Sequence, residues 1–98
     1  MVIAILWEFV VREDKRDEFE RHYSSAGTWA EFFGASPAYR STMLLTGEGN
    51  RYITCDEWDT REAYEEFHRA HADAYAALDR QFEALTLSER SLGTFEMK

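Results

Sequence analysis

Two histidines are the side chains of this sequence best suited to acid–base chemistry. His68 and His71 stand three residues apart, so on a helix both can face one region. An unperturbed imidazole titrates near pH ~6.5, where it can exchange a proton at neutral pH. His71 therefore has three interpretations: a structural histidine of the core or pocket rim, a general base, or a metal ligand. No HxxxH or HxH pair accompanies them, and two histidines alone rarely hold a metal, so no metal site is predicted.

Two carboxylates stand inside predicted strands. Glu8 interrupts the apolar run VIAILWEFVV. It reaches the sheet rim, pairs with an arginine, or is a buried general acid or base whose neutral form is favoured by desolvation. Asp56 lies in the strand RYITCDEW, where a structural hydrogen bond to a neighbouring strand is favoured over a catalytic role. His71 and Glu8 are therefore the candidate catalytic residues.

Aromatic side chains make up 15% of the sequence, which is high for a small domain. The excess predicts an aromatic core together with apolar surface for a ligand or a partner. A short helix opening at Thr28 carries three of these side chains, and it either seals the core or forms a pocket wall. The candidate substrate-binding residues are Trp7, Trp29, Phe33, Phe67, His68 and Tyr75.

The charge of the chain excludes several kinds of partner. Nineteen acidic residues against eleven basic ones give a net charge of −8, and no basic stripe suits nucleic acid or an anionic membrane. The single cysteine, Cys55, excludes an internal disulfide and is interpreted as a small buried filler rather than a reactive thiol. No apolar run reaches the ~18 residues of a membrane span, and the apolar start lacks the features of a signal peptide. We therefore expect a cytoplasmic protein.

The apolar pattern predicts a single domain over residues 1–98, alternating in the strands and recurring at three and four residues in the helices. The predicted elements are strand 2–11, helix 12–26, a short helix from Thr28 closed by Gly34, strands 39–46 and 51–58 joined by GEGN, helix 60–85 with a bend near 71–74, and strand 88–97 with a bulge at Gly93.

Side-chain spacing predicts the hairpin register and two helix caps. Placing Thr46 opposite Arg51 brings Arg40 opposite Glu57, an opposite-charge pair that supports this register. The main helix is expected to begin at a cap on Asp59 or Thr60. The predicted capping boxes are Asp59 with Glu62 and Thr28 with Glu31.

The order strand, helix, strand, strand, helix, strand is typical of an α+β fold. It is the ferredoxin-like split βαβ arrangement, with a four-stranded antiparallel sheet and helices on one face. The other face of the predicted sheet still carries large apolar residues. A second copy of the chain, sheet against sheet, is the simplest cover for it. We therefore predict a homodimer.

The chain resembles the antibiotic biosynthesis monooxygenase (ABM) superfamily. The resemblance spans nearly the whole chain and rests on the element order, on the segments CDEWDTREAYEEF, EFERHYSSAGTWAEFF and YITCDEW, and on the closing SLGTFEMK. It implies a dimeric α+β barrel. Members of the superfamily include quinone-forming monooxygenases, haem degraders, isomerases and proteins of unknown role.

The resemblance favours a cofactor-independent mode over haem degradation. Haem-degrading members use an Asn on the first strand with a Trp and a His on the second long helix. In this chain the only Asn is Asn50, and Phe67 and Ala77 stand at the aligned helix positions. Cofactor-independent members are thought to hold a phenolic substrate between sheet and helices, where the substrate anion itself reacts with O₂. That chemistry requires a base, an aromatic pocket and exclusion of water, and no cofactor.

Two functions are therefore expected to compete. The first is a monooxygenase that oxidises a small aromatic molecule, phenolic or of the quinol type, with His71 or Glu8 as the base. The second is a non-catalytic dimer that binds a small apolar ligand or a partner protein. The family resemblance and the aromatic excess favour the first, which is the preferred interpretation, whereas the lack of a multi-residue catalytic signature is the reason for the second.

Overall fold

The computed structural model describes residues 1–98 as one sheet and four α-helices. The strands are β1 (Ile3–Val11), β2 (Tyr39–Thr46), β3 (Arg51–Trp58) and β4 (Thr86–Glu96). The helices are α1 (Arg16–Tyr23), α2 (Thr28–Phe33), α3 (Arg61–Ala70) and α4 (Ala72–Phe82), with 3₁₀ turns at Glu13–Lys15 and Glu83–Leu85. The two hairpin strands have their predicted bounds, whereas the first α-helix is shorter because a 3₁₀ turn precedes it.

The sheet has the strand order β2-β3-β1-β4, and all neighbouring strands are antiparallel. The central position of β1 agrees with its apolar character on both faces. The predicted α+β, ferredoxin-like fold is thereby confirmed. None of the helices combines the length and the apolar character that crossing a bilayer requires.

The core lies between one face of the sheet and the helices. Phe9 of β1 packs edge-on against Phe19 of α1, with 5.3 Å between ring centres. Trp58 at the end of β3 packs against Phe67 of α3 at 5.4 Å. Such edge-to-face and tilted ring contacts recur through the core, which is therefore aromatic as the composition predicted. We call this covered side of the sheet the inner face and the opposite side the outer face.

The main helix divides at His71, within the predicted bend. The backbone there has φ −119° and ψ 28°, outside the helical region. The His71 amide still donates to the Phe67 carbonyl oxygen at 3.0 Å, and the Tyr75 amide donates to the His71 carbonyl oxygen at 2.9 Å. The chain therefore changes direction without losing backbone hydrogen bonds, and the predicted apolar stripe is shared between two helices.

The hairpin register differs by one residue from the predicted one. Thr46 lies opposite Tyr52 rather than Arg51, because an irregularity between Tyr39 and Ser41 adds one residue to β2. Arg40, the extra residue, pairs with Asp59 at 3.0 Å instead of lying opposite Glu57. A four-residue loop does not fix the register, so burial of the alternate β2 residues on the inner face decides it.

Both predicted capping boxes are wrong, while the alternative cap for the main helix is confirmed. Thr60 is the N-cap of α3, and its hydroxyl accepts from the Ala63 amide at 3.1 Å. Helix α2 begins after Gly27, and the Thr28 hydroxyl instead lies 2.7 Å from Nδ1 of His22. The predicted bulge in β4 is confirmed, since the pairing with β1 shifts beside Gly93, where φ is +113°.

Candidate active site

A cavity of about 230 Å³ lies between the inner face of the sheet and the helices. Its sheet side is formed by Ile5, Trp7, Phe9, Thr42, Thr54, Asp56 and Glu89. Its helix side is formed by Tyr23, Trp29, Phe33, Tyr64, His68, Tyr75 and Asp79. The volume lies below the ~300–1,000 Å³ of common ligand pockets, so the cavity suits a compact ligand.

Most of the predicted substrate-binding residues meet at this cavity. It is lined by Trp7, Trp29, Phe33, His68 and Tyr75. The sixth, Phe67, is buried in the core below it, between Trp58 and His71. Phe67 points to the core because it stands one turn before the helix break, where α3 packs directly on the end of β3.

The two predicted catalytic residues lie outside the cavity. His71 is exposed, because the break between α3 and α4 turns it outwards beside a shallow depression formed by residues 69–74. Glu8 lies on the outer face of the sheet and accepts hydrogen bonds from Arg51 at 2.5 Å and Arg90 at 2.8 Å. The Arg51 hydrogen bond, helped by the positive charges, outweighs desolvation and lowers the pKa of Glu8. The arginine-pair interpretation of Glu8 is therefore confirmed.

Asp56 is the one carboxylate of the central strands that faces the cavity. It lies on β3 between Ile5 of β1 and Thr42 of β2. The Thr42 hydroxyl donates to Asp56 Oδ1 at 2.6 Å, so the predicted hydrogen bond to a neighbouring strand is confirmed. Burial raises the pKa of Asp56 to about 6, against the smaller opposing effect of the Thr42 hydrogen bond. The carboxyl group therefore changes its charge close to neutral pH.

Aromatic rings surround the space in front of Asp56. The His68 ring lies 4.2 Å from that of Tyr75 and 5.8 Å from that of Tyr64, between centres. Trp29 closes the helix side, 5.1 Å from Tyr75. Burial is the main reason why the pKa values of Tyr64 and Tyr75 are raised, so both phenols keep their protons and serve as donors.

The charges around the cavity are negative. Asp56, Asp79 and Glu89 line it, and no lysine or arginine does. Asp79 and Glu89 are exposed, which places the mouth of the cavity beside them. Desolvation, and then the charges of Asp79 and Glu83, raise the pKa of Glu89. No group of three or more His, Cys, Asp or Glu side chains is arranged to hold a metal ion.

The sequence favours a structural hydrogen bond over a catalytic role for Asp56. What the sequence does not reveal is the lack of a cation along the cavity. The arginines of the hairpin lie on other surfaces, and Arg16, which bonds Tyr52 elsewhere on the inner face, does not line the cavity. The available signal was the placement of Asp56 on one strand face with Tyr52, Thr54 and Trp58, where nothing could neutralise a carboxylate.

Solved structures with the same fold extend over nearly the full length of the chain. A mutant form of SnoaB, a cofactor-independent oxygenase from Streptomyces nogalater, superposes with a TM-score of 0.75 at 19% identity, covering 99% of this chain and 93% of that chain. A protein from Bordetella bronchiseptica, provisionally assigned as an antibiotic biosynthesis monooxygenase, gives 0.73 at 14% identity, covering 99% and 97%. A NIPSNAP family protein from Agrobacterium tumefaciens gives 0.69 at 14% identity, covering 100% and 94%.

The chain has the fold of the ABM proteins. A scan against protein-family models and a search of curated proteins each find no match. The fold identified by its sequence resemblance is therefore confirmed by the structural neighbours, and the chemistry has to be argued from the cavity itself.

Proposed function

We propose that this protein is a cofactor-independent monooxygenase that oxidises a small phenolic or quinol-type aromatic molecule with O₂. The observation that carries the proposal is Asp56, a carboxylate with a pKa of about 6 in an aromatic cavity without a neighbouring cation. A base of this pKa is ionised at neutral pH and still basic enough to accept a proton. The fold shared with SnoaB, a cofactor-independent oxygenase, supports the proposal.

The cavity walls favour a flat, uncharged ligand. Trp7, Trp29 and Tyr75 offer ring surfaces for stacking, and Tyr64 and His68 offer polar groups near Asp56. A carboxylated ligand would meet three carboxylates and no cation, so its entry is disfavoured by like-charge repulsion. The substrate therefore enters as a neutral phenol and becomes an anion only inside the cavity.

Asp56 starts the reaction by removing the phenolic or enolic proton of the substrate. The resulting anion is electron-rich and reacts with O₂. In an anthrone-type substrate, the ring CH₂ carbon gains one oxygen atom as a carbonyl. Its remaining hydrogen leaves with the other oxygen as hydroxide, and one proton, equal to the one that Asp56 removed, converts the hydroxide to water. Exclusion of bulk water by the aromatic walls keeps the anion reactive and the base active. Asp56 thus takes the role for which His71 and Glu8 were the sequence candidates.

We also propose that the active form is a homodimer built through the outer face of the sheet. No helix covers that face, and Met43, Leu45 and Phe95 are 50%, 47% and 51% exposed there. A second copy is the occupant favoured here because both copies would bury the same apolar patch. Such a sheet-to-sheet contact would bury at least ~1,500 Å², typical of a stable homodimer.

Oxygen uptake by the purified full chain, measured over a panel of anthrones and hydroquinones, tests the enzymatic proposal. We expect turnover with uncharged members of the panel, and loss of that turnover in Asp56→Asn. Native mass spectrometry of freshly purified protein supplies the second arm. A co-purified organic molecule, with no turnover on any member of the panel, would contradict catalysis and indicate a ligand-binding protein instead.

A further inference from the structure

Asp56 is connected to a chain of hydroxyl groups that leads away from the cavity. The Thr42 hydroxyl lies 2.6 Å from Asp56 Oδ1, and the Tyr39 hydroxyl lies 2.6 Å from Thr42 Oγ1. Thr42 is 5% exposed, whereas Tyr39 is partly exposed on β2, which is an edge strand of the sheet. Three oxygen atoms thus join the cavity to the rim of the sheet.

The irregularity in β2 is what makes this chain of oxygens possible. In a regular strand, residues 39 and 42 would point to opposite faces. The extra residue Arg40 moves Tyr39 onto the inner face, where it packs against Phe33 and Trp58 at 5.8 and 5.5 Å between ring centres. Bulges of this kind re-aim side chains beside active sites.

The direction of the hydrogen bonds depends on the charge of Asp56. Each hydroxyl carries a single proton. Opposite an ionised carboxylate, Thr42 donates to Asp56, and Tyr39 therefore donates to Thr42. Once Asp56 is protonated, its carboxyl group can donate to Thr42, Thr42 to Tyr39, and Tyr39 outwards. The hydrogen bonds between Asp56, Thr42 and Tyr39 therefore have two complete arrangements, and the passage of one proton converts one into the other.

A base enclosed by aromatic walls and a bound substrate has to release its proton before the next turnover. On the cavity side Asp56 faces Tyr64, His68 and Tyr75, none of which forms a hydrogen bond to it. The route through Thr42 is therefore the one hydrogen-bonded path that leaves Asp56.

We propose that Thr42 and Tyr39 form a proton exit from Asp56, an inference that rests on the function proposed above. The phenolic proton moves to Asp56, and the protonated carboxyl turns about its Cβ–Cγ bond. It then gives a proton to Thr42 Oγ1 as the Thr42 proton moves to Tyr39 Oη and the Tyr39 proton moves to water. One proton leaves the substrate, one reaches solvent, and all three residues regain their starting states. The hydroxide released later from the peroxide takes one proton back from solvent, so the complete turnover forms water with no net proton release. Thr42 and Tyr39 are positioning residues in this scheme, since neither touches the reacting atoms.

Carbon-13 NMR titration of the Asp56 carboxyl in the full chain tests the first link without any substrate. Thr42→Val removes the hydroxyl at nearly unchanged shape and is expected to raise the pKa of Asp56, whereas Thr42→Ser restores the hydroxyl and the wild-type value. Thr54→Val is the matched control, because Thr54 is as buried as Thr42 and lines the same cavity without bonding Asp56. An equal shift in both valine variants, or none in Thr42→Val, would overturn the link.

Stopped-flow mixing with 4-nitrophenol and a pH-indicator dye tests proton passage. Phenolate absorbance reports the transfer to Asp56, and the dye reports release to solvent. In the wild type both signals should rise together. In Tyr39→Phe the phenolate should form normally while release slows by about tenfold or more, as expected when a proton-transfer group is lost. Unchanged release in both Tyr39→Phe and Thr42→Val would refute the exit path alone. Lack of phenolate in the wild type would instead remove Asp56 as the base and the exit path with it.

Discussion

Asp56 and Glu8 are carboxylates on adjacent central strands, yet the two faces of the sheet give them opposite properties. Glu8, on the outer face, is held by Arg51 and Arg90, and its pKa is lowered. Asp56, on the inner face, has a threonine hydroxyl and aromatic rings around it, and its pKa is raised to about 6. A strand carboxylate with cations beside it stabilises the sheet, whereas one without them is free to accept a proton.

The two faces also differ in how their apolar residues are used. The inner face meets the helices and leaves a small cavity, which is suited to a ligand. The outer face leaves Met43, Leu45 and Phe95 about half exposed with no helix over them, which suits a second copy of the chain. The proposed chemistry and the proposed dimer contact thus lie on opposite sides of one sheet.

The largest expected effect is on turnover. Asp56→Asn keeps the shape of the side chain and its bond from Thr42 but cannot accept a proton, so kcat should fall by roughly 10²–10⁴-fold. Glu8→Gln, the equivalent change on the outer face, should leave kcat within a few-fold of the wild-type value. Steady-state oxygen uptake measures both. Equal losses in the two variants would remove the distinction between the faces.

Dimerisation should be weakened by a new charge on the outer face and not by the same charge elsewhere on the surface. Met43→Glu places two new carboxylates in the proposed interface and should weaken dimerisation by ~100-fold or more, because like charges across an interface cost several kcal/mol. Gln81→Glu adds the same charge on the exposed surface of α4 and is the matched control. Sedimentation over a dilution series measures both. A wild-type chain that sediments as a folded species at 11.5 kDa would show that the outer face is covered in another way.

The ionisation of Asp56 and that of Glu8 should change the free energy of unfolding in opposite directions as pH rises. The pKa of Asp56 rises from 3.8 to about 6 on folding, so the unfolded chain loses this proton first and stability falls as pH rises between those values. Above both pKa values the ionised Asp56 lowers the free energy of unfolding by about 3 kcal/mol. Asp56→Asn removes this charge and should therefore stabilise the protein by up to that amount at about pH 8.

The ionisation of Glu8 has the opposite effect on folding stability. Its lowered pKa gives stability that is present above the unfolded value of 4.5 and lost as pH falls, so Glu8→Gln should destabilise at about pH 8. Urea unfolding at two pH values measures both variants. Destabilisation by Asp56→Asn at the higher pH would mean that Asp56 carries no burial penalty.

The smallest expected effect concerns the exposed carboxylates at the cavity mouth. Glu89→Gln removes one negative charge and should tighten binding of 4-hydroxybenzoate by about two- to fivefold at low salt, since exposed charges interact weakly. Binding of uncharged phenol should change little in the same variant. Calorimetry with the two ligands measures the difference, and an equal change for both would show that charge does not govern entry.

The fold could be predicted from the sequence because strand alternation and helical spacing are local properties. The hairpin register could not, because the irregularity at Arg40 depends on which β2 residues are buried under the helices. Five of the six predicted substrate-binding residues line the cavity, and their role in binding stays a prediction. His71 lies outside the cavity because the position of the helix break, one residue either way, decides whether it faces the core or solvent.

The proposed base, Asp56, was the hardest residue to predict. Whether a carboxylate has cations beside it is settled by strand pairing, which brings Arg51 and Arg90 to Glu8 across 43 and 82 residues of sequence. The same pairing leaves Asp56 with one partner, the hydroxyl group of Thr42. A sequence read residue by residue shows two similar strand carboxylates and cannot distinguish them.

The pH dependence of kcat/KM for oxygen uptake tests the central claim most directly. With an uncharged anthrone whose own ionisation lies well above the range, the wild type and Glu8→Gln should both show activity rising with pH through about 6, the pKa of Asp56. Asp56→Asn should retain only a trace of activity without that rise. A rise near pH 6 that persists in Asp56→Asn, or one that disappears in Glu8→Gln, would contradict the assignment of Asp56 as the base.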